Sequence, residues 1–327
     1  MGVLSEINIF PSPDAIHEAG SDIFGFVKYS IDEETVFNEI DISLTGRGTL
    51  IVIESVKSGD RQTEHIFRYT EDYIKLNNTI VNNDNVTPVG VYEIPIHFKL
   101  ATNIPSSLKY NTTIGNYRIN CTIAYEVTVT FKRSGFKFDK TLSKPIQVIS
   151  GIVPRLPRKP VTYGHQKKIL ILQFFCRWTG LVNIKADIET SVIEPSGKIK
   201  LSYIIFNDTN ITIKTVQIKL VELYTFSDKI SSKLLKYNDV KDTESKTRTI
   251  KSGDTQCMEI DIDLPPEKTT IEFSKLVSRN YFVHIIVVLP IPYRNLVLKI
   301  PVQIGNEIVN NNGNENPPAY HEAIEIY

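Results

Sequence analysis

The stretch YRINCTIAYEVTVTF, residues 117–131, constrains the fold more than any other part of the sequence. Every second residue in it is apolar, and the residues between are mostly polar. A period of two over this length predicts a β-strand that buries one face and exposes the other. At about 3.3 Å per residue the strand would be roughly 50 Å long, which is long for a globular protein.

The same alternation recurs along the chain, for example in residues 94–100, 260–264 and 296–304. No long run places apolar residues at the three- and four-residue spacing of an amphipathic helix. Many short strands separated by turn residues are typical of sandwiches. The predicted fold class is therefore all-β, built from immunoglobulin-like β-sandwiches.

Four alternating apolar triplets of the first half recur, in the same order, in the second half. Those that begin at Ile23 and Ile40 recur 176 positions later (199 − 23 and 216 − 40). Those that begin at Ile96 and Tyr117 recur 164 positions later (260 − 96 and 281 − 117). Because only two shifts are needed, the sequence predicts two homologous sandwiches in tandem.

The predicted domain organisation follows from the repeat and from the 327-residue length, which exceeds one average domain. We expect an N-terminal sandwich at 1–150, a linker at 151–168, a C-terminal sandwich at 169–306 and a short disordered tail at 307–327. The linker contains three prolines, which remove backbone donors and disfavour a central strand. The tail is rich in Asn, Gly and Glu and has too few apolar residues to bury a core.

Five basic residues cluster in the predicted linker: Arg155, Arg158, Lys159, Lys167 and Lys168. One interpretation is contact with phospholipid head groups or cargo, and the other, which is the commoner use of such a segment, is a solvated linker. The 37 basic and 37 acidic residues of the whole chain cancel. Net charge therefore gives no general reason to expect nucleic acid or an anionic membrane as the main partner.

Residues Pro317-Pro318-Ala319-Tyr320 fit the pattern P-P-x-Y. Proline favours the polyproline II conformation, so little entropy is lost when such a segment docks in an aromatic-lined groove of a WW domain. Pro317 and Pro318 would lie against the groove, and Tyr320 would fill a neighbouring pocket. A single short motif buries little surface and should bind with micromolar or weaker affinity. The alternative is a proline-containing tail without a partner.

Sequence signatures of catalysis are missing, so we expect no enzyme activity, no cofactor and no metal. The six histidines show no metal-ligand spacing, and neither a nucleophile elbow nor a phosphate-binding glycine loop is present. His97 and His284 fall in predicted strands and are interpreted as ordinary sheet residues. Asp261 and Asp263 alternate with isoleucines and are expected to face solvent. An active site assembled from distant residues stays open as an alternative.

The three cysteines, Cys121, Cys176 and Cys257, are odd in number and far apart. This spacing is typical neither of a disulfide framework nor of a paired metal knuckle, and it indicates reduced, intracellular thiols. The N-terminal residues show no basic start followed by an apolar run, so no secretory signal is expected. The most apolar stretches are too short to span a bilayer.

Taken together, these motifs resemble the α-arrestins, the arrestin domain-containing proteins. The resemblance extends from about residue 5 to the tail. In the first half it rests on the turn Ile104-Pro105-Ser106-Ser107, on Gly115 and on the strand start Tyr117-Arg118-Ile119. In the second half it rests on Cys176, Gly180, Gly197 and Asn207. The turns before the second strand of each domain depart from the family's Pro-Gly-Glu and keep only Gly20 and Gly197, and the tail has one P-P-x-Y motif where family members often have two.

The resemblance implies two arrestin-like sandwiches and a cytoplasmic adaptor that is recruited to the plasma membrane or endosomes. Such an adaptor would link a WW-domain HECT-type ubiquitin ligase to cytoplasmic regions of membrane receptors or transporters, for ubiquitination, endocytosis and protein transport. It implies no small-molecule substrate. Two alternatives stay open: an arrestin-fold structural subunit of a retromer-like sorting or coat complex, and a sandwich binding module for another ligand.

Overall fold

A computed structural model describes residues 3–10, 16–58, 61–81, 86–133, 139–173, 176–227 and 233–308. Within these ranges the secondary structure consists of β-strands. No helix in the described ranges is long and apolar enough to cross a membrane. The all-β prediction is therefore confirmed.

The N-terminal half folds into two sheets. Its strands are β1 (Val3–Phe10), β2 (Ile16–Glu18), β3 (Asp22–Ile31), β4 (Thr35–Ser58), β5 (Arg61–Val81), β6 (Val86–Thr87), β7 (Gly90–Lys99), β8 (Leu108–Ile114), β9 (Tyr117–Arg133) and β10 (Lys140–Ile149). One sheet has the order β1-β3-β7. The other has the order β2-β10-β9-β4-β5, with β6 paired to β4 and β8 paired to β9.

The C-terminal half repeats this plan. Its strands are β11 (Val161–Gln173), β12 (Cys176–Ile188), β13 (Val192–Ile193), β14 (Lys198–Asp208), β15 (Thr215–Ser227), β16 (Lys233–Asp239), β17 (Ser245–Lys246), β18 (Thr255–Asp263), β19 (Val277–Val288) and β20 (Leu296–Ile304). One sheet has the order β11-β12-β14-β18, and the other has the order β13-β20-β19-β15-β16 with β17 paired to β15.

The two halves have equivalent strand orders, and the predicted repeat is confirmed. The order β1-β3-β7 corresponds to β12-β14-β18, and β2-β10-β9-β4-β5 corresponds to β13-β20-β19-β15-β16. The four triplets that repeat in the sequence begin within equivalent strands or next to them: β3 with β14, β4 with β15, β7 with β18, and β9 with β19. Among the described residues of the first half, strand β11 has no counterpart, and β1 is the edge strand there.

The repeat extends to single hydrogen bonds at the end of each three-strand unit. The amide of Leu100 donates to the carbonyl of Ser21 at 2.9 Å, and the amide of Leu264 donates to the carbonyl of Gly197 at 3.0 Å. These residues are related by the same shifts of 164 and 176 positions that align the strands. The equivalent bonds show that the second and third strands of this unit end in the same way in both sandwiches.

The turns that precede β3 and β14 correct one detail of the repeat. The sequence pattern matched Gly20 of the first turn to Gly197 of the second. The left-handed residues are Gly20, with φ of 86°, and Ser196, with φ of 61°. These two residues are 176 positions apart, so Ser196 is the counterpart of Gly20. A serine tolerates this backbone region less well than a glycine, and it adopts the conformation because the surrounding turn requires it.

The long strand predicted at 117–131 is present as β9. It buries one face along its whole length, through Ile119, Cys121, Ile123, Tyr125, Val127, Val129 and Phe131. The buried hydroxyl of Tyr125 donates to the carbonyl of Pro105 at 2.6 Å, as a buried phenol requires. Burial raises the pKa of the Cys121 thiol to about 12, so this cysteine is a packing residue.

The predicted linker is shorter than the sequence indicated. Strand β11 begins at Val161 and pairs with β12 over its full length, so residues 161–168 belong to a sheet. Residues 161–168 can form a strand because the three prolines all precede Val161. The connection between the sandwiches is thus confined to the residues between β10 and β11.

Candidate functional site

The predicted WW-binding residues Pro317, Pro318 and Tyr320 lie outside the described residues. The structure does position the residues that lead to them. The amide of Ile152 donates to the carbonyl of Asn306 at 2.8 Å, and the amide of Ile308 donates to the carbonyl of Ile152 at 3.0 Å. The segment that carries the motif therefore starts at the junction of the two sandwiches, paired with the connection between them.

Gln303 holds this connection in place. Its Oε1 accepts the backbone N–H groups of Arg155 at 2.7 Å and Leu156 at 3.0 Å. Its Nε2 donates to the carbonyl of Val153 at 3.2 Å and to Oε1 of Glu272 at 3.0 Å. The side chain is buried, and both donors and both acceptor positions of the amide are used. The backbone of the connection is therefore bound to the C-terminal sandwich.

The five predicted basic residues differ in their contacts. Arg158 forms an ion pair with Glu307, next to the junction. Lys167 and Lys168 are neighbours on β11 and so project from opposite faces of the strand. The ammonium of Lys167 donates to the carbonyl of Arg294 at 2.6 Å. The pKa of Lys167 is lowered, mainly because the side chain is partly buried and secondly because the Arg294 charge is near. Arg155 and Lys159 are exposed.

A loop of the C-terminal half contacts the N-terminal sandwich beside the junction. The hydroxyl groups of Tyr73 and Ser274 share a hydrogen bond of 2.7 Å. The Glu71 carboxylate accepts the backbone N–H of Lys275 at 2.8 Å and the hydroxyl of Ser274 at 3.3 Å. Burial raises the pKa of the Tyr73 phenol above its usual range, so it stays protonated and able to hydrogen bond. These bonds tie β5 to the C-terminal half.

The apolar core of the N-terminal sandwich extends across the junction. Four buried residues of the C-terminal half pack in the same cluster as the N-terminal core: Tyr224, Phe226, Leu276 and Val277. The rings of Tyr110 and Tyr224 stack with their centroids 4.0 Å apart. The hydroxyl of Tyr110 also accepts a hydrogen bond from Nδ2 of Asn238 at 2.8 Å. Packing of this kind favours a fixed relation between the sandwiches.

A buried arginine lies behind the tyrosine stack. Arg279 is 9% exposed and donates to the carbonyl of Thr269 at 2.6 Å, to the Thr269 hydroxyl at 3.2 Å and to the Tyr224 hydroxyl at 3.3 Å. Its guanidinium carbon lies 5.9 Å from the ring centres of both Tyr224 and Tyr281. Burial raises the pKa of the Tyr281 phenol above its usual range. The cation is thus held by neutral oxygens and aromatic faces.

A buried carboxylate completes this group. Glu222 is 6% exposed, and its two oxygens accept Nζ of Lys268 at 3.0 Å and Nδ2 of Asn238 at 3.2 Å. Asn238 also contacts Tyr110, so one amide connects the buried charge to the N-terminal sandwich. We name Arg279, Glu222, Lys268, Tyr224 and Asn238 the junction cluster.

The sequence analysis missed the junction cluster, although a signal was present. Glu222 follows Ile218 and Leu220 at the period of two that marks a buried face, and Arg279 occupies such a position between Val277 and Tyr281. A charged residue on a buried face needs a partner, because an uncompensated charge is costly to bury. Such an interruption of an apolar stripe predicts a buried polar contact.

The two histidines and two aspartates that were expected in strands do lie in strands, and both aspartates face solvent as expected. His97 is exposed on β7, where its Nε2 lies 2.9 Å from Oδ1 of Asp22. His284 is half-buried on β19, and Asp261 and Asp263 are exposed on β18. Among the described residues, no group of three or more His, Cys, Asp or Glu side chains could hold a metal ion.

The outer faces of the two larger sheets differ in chemistry. On the N-terminal sandwich, hydroxyl groups pair across strands: Thr128 with Ser143 at 2.8 Å and Thr130 with Thr141 at 3.2 Å. On the C-terminal sandwich, the equivalent face carries apolar side chains that are half-buried or exposed: Leu223, Leu235, Tyr237, Phe282, Ile286 and Val297. An exposed apolar sheet face is typical of a surface that binds protein.

Comparison with known protein families assigns both halves. A family model described as the N-terminal domain of arrestin (or S-antigen) matches residues 6–153. A second model, described as the C-terminal domain of arrestin (or S-antigen), matches residues 178–308. A search of curated proteins finds no match. The two matched ranges together span most of the chain and contain the junction cluster.

Proposed function

Because the chain belongs to the arrestin family, we propose that it is an adaptor that brings a WW-domain HECT-type ubiquitin ligase to membrane-protein cargo. Arrestin-family domains are those of non-enzymatic adaptors in trafficking and signalling. In this role the protein supplies proximity, and the ligase supplies the chemistry. The outcome would be ubiquitination, endocytosis and sorting of the cargo.

Ligase recruitment depends on one observation, the motif Pro317-Pro318-Ala319-Tyr320 in the segment that follows the arrestin domains. The assignment to the α-arrestin branch depends on the same motif. Pro317 lies nine positions after Ile308, which is at the junction. An extended segment of that length reaches about 30 Å, which is enough to place a small WW domain beside either sandwich. A single motif binds weakly, so useful recruitment needs a second contact or co-localisation at a membrane.

Cargo binding is assigned to cytoplasmic regions of membrane receptors or transporters. The apolar outer face of the C-terminal sandwich offers a surface for such segments, since it carries Leu235 and Tyr237 at nearly half exposure beside a framework of paired strands. Lys299 lies on the same face, with its ammonium 5.4 Å from the ring centre of Tyr237. We place the protein in the cytoplasm, with recruitment to the plasma membrane or endosomes.

A pull-down with isolated WW domains tests ligase recruitment. We expect the full chain to be retained and the Tyr320→Ala variant to be lost, because the tyrosine pocket would be left empty. Tyr327→Ala is the matched control, since it removes a second tyrosine of the same segment outside the motif. Equal retention of wild type and Tyr320→Ala, or retention of neither, would contradict the proposal.

Native mass spectrometry of the endogenous protein separates the adaptor from the alternative of a structural coat subunit. An adaptor of the proposed kind loses its ligase when residues 311–327 are deleted. A stoichiometric complex that survives this deletion would favour the structural subunit.

A further inference from the structure

Strand β5 is the edge of its sheet. Within the described residues it pairs only with β4, over Arg61–Val81, and its other edge has no strand partner. The hydrogen bonds described between the C-terminal half and this strand involve Glu71 and Tyr73, which bind Ser274 and Lys275. The open part of the edge is therefore the distal stretch that precedes Glu71.

The register identifies which backbone groups point away from the sheet. The amide of Ser55 on β4 donates to the carbonyl of Asn116, on the β9 side. Odd-numbered residues of this part of β4 therefore bond towards β9, and even-numbered ones such as Val52 bond towards β5. Val52 is opposite Phe67, so Phe67 bonds to β4. Its even-numbered neighbours, Ile66 among them, present N–H and C=O groups to the open edge.

This edge lacks three of the features that usually block pairing of edge strands, and its charged residues, Glu64 and Arg68, have opposite signs. Natural edge strands are blunted by proline, by lysine or by bulges that stop a second strand from pairing. Residues 62–70, QTEHIFRYT, contain neither proline nor lysine, and they pair with β4 without a bulge. Ile66, at the centre of this stretch, is 64% exposed. An open, regular strand with an exposed isoleucine at its centre is suited to pairing with another strand.

The side chains along the edge complement each other about Ile66. In an antiparallel pair of identical strands centred on this residue, Glu64 lies opposite Arg68 of the other strand. Two-fold symmetry generates that ion pair twice. Gln62 lies opposite Thr70, and Ile66 lies opposite itself. All five residues have even numbers, so all five present their backbone groups to the open edge.

We propose that two copies of this chain associate by antiparallel pairing of β5 with β5, with Ile66 on the two-fold axis. The pairing would join the two seven-stranded sheets edge to edge. Five opposed residue pairs that each exchange two backbone bonds give about ten hydrogen bonds. On one face the two Ile66 side chains continue the cross-strand pair that Ile66 forms with Ile53. On the other face Phe67 lies opposite His65 of the second copy.

The partner is a second copy because the complementarity is internal to the strand. A shift of the pairing by two residues would put Glu64 opposite Ile66 and would remove both ion pairs. Glu64 already binds Arg118 of its own chain at 3.2 Å, and a second arginine opposite it would share this carboxylate. The contact is small, so the dimer should be weak and concentration-dependent.

Sedimentation velocity of the full chain, from about 1 to about 300 µM, detects a dimer of this strength. Glu64→Arg or Arg68→Glu alone turns both ion pairs into like-charge pairs, and we expect each to weaken the dimer at least about tenfold. The combined Glu64→Arg/Arg68→Glu variant recreates opposite charges in the same register and should recover most of the affinity. Val91→Lys, at a similarly exposed apolar position on edge strand β7, is the control that should leave the dimer unchanged.

Oxidative crosslinking tests the register independently. In a background with Cys176→Ser and Cys257→Ser, Ile66→Cys should form a disulfide-linked dimer, because opposed residues of a hydrogen-bonded pair lie about 5.5 Å apart between Cα atoms. Arg68→Cys should not crosslink to itself, since four residues, or about 13 Å, separate the two thiols along the strands.

A chain that stays monomeric over this concentration range would overturn the proposal. So would a dimer that tolerates Arg68→Glu, or equal crosslinking at positions 66 and 68. Circular dichroism and thermal melting of each variant show whether it is folded, so a lost dimer can be separated from a lost fold.

Discussion

The rings of Tyr110 and Tyr224 stack across the junction of the two sandwiches, with centroids 4.0 Å apart and planes inclined by 21°. Tyr110 comes from β8 of the N-terminal half, and Tyr224 comes from β15 of the C-terminal half. Tyr224 also accepts a hydrogen bond from the buried Arg279. One aromatic pair therefore joins the apolar core of the first sandwich to the junction cluster of the second.

The Tyr110–Tyr224 stack should stabilise the contact between the sandwiches. In a double-mutant cycle with Tyr110→Ala and Tyr224→Ala, we expect a coupling free energy of about 0.5–1.5 kcal/mol beyond the separate burial losses. Chemical denaturation of the four proteins measures it. Tyr110→Phe keeps the stack and loses only the bond from Asn238, so it should cost about 1 kcal/mol. A coupling indistinguishable from zero would show that the stack does not hold the junction.

Arg279 should be sensitive to the shape of its cation. Arg279→Lys keeps the charge, but an ammonium cannot reproduce the planar set of bonds to Thr269 and Tyr224. We expect the free energy of unfolding to fall by about 1–3 kcal/mol, because buried acceptors lose their donors. Arg118→Lys is the matched control at an exposed pair with Glu64, and it should change stability by less than about 0.5 kcal/mol. Equal effects at the two sites would contradict the assignment.

His284 should make stability depend on pH. Burial, followed by the charges of Lys299 and Lys219, lowers its pKa to about 4, below the ordinary 6.5. Between these values the unfolded chain binds a proton that the folded chain does not. The contribution of neutral His284 to the free energy of unfolding is therefore complete above about pH 6.5 and is lost as the pH falls towards 4. We expect a loss of about 1–3 kcal/mol over this window.

Urea unfolding of wild type and His284→Gln between pH 4 and pH 8 measures this contribution. His17, whose pKa burial also lowers, adds to the slope of both proteins, so the difference between them isolates His284. The variant should show the shallower pH dependence. Parallel curves for the two proteins would rule out the effect.

Gln303 should control the order of the connection between the sandwiches. Gln303→Leu removes the acceptor of the Arg155 and Leu156 amides, and hydrogen exchange at both should accelerate strongly while the amides of β9 remain protected. Each unpaired buried group costs about 1–3 kcal/mol. Gln303→Glu keeps the acceptor oxygen but loses the donor to Val153 and brings a carboxylate next to Glu272. Hydrogen exchange at Arg155 should therefore be slower in Gln303→Glu than in Gln303→Leu, although both variants are less stable than the wild type.

The strand architecture was predictable because its signals are local. The period of two in 117–131 reports which face of β9 is buried, whichever strand covers it. The repeat was visible because equivalent strands keep their apolar triplets in order. The matching of Gly20 to Gly197 was wrong by one position, since a positive φ is set by the turn and a serine adopted it at position 196.

The sequence by itself determined the all-β class, the tandem repeat and the P-P-x-Y motif, since each depends on residues that are neighbours in the chain. Only the tertiary structure decided that Arg279 and Glu222 are buried and that Gln303 binds a backbone segment nearly 150 positions away. It also decided that one edge of β5 has no strand partner among the described residues. Burial and pairing of this kind depend on which distant strands become neighbours, and the period of a single strand carries no information about that.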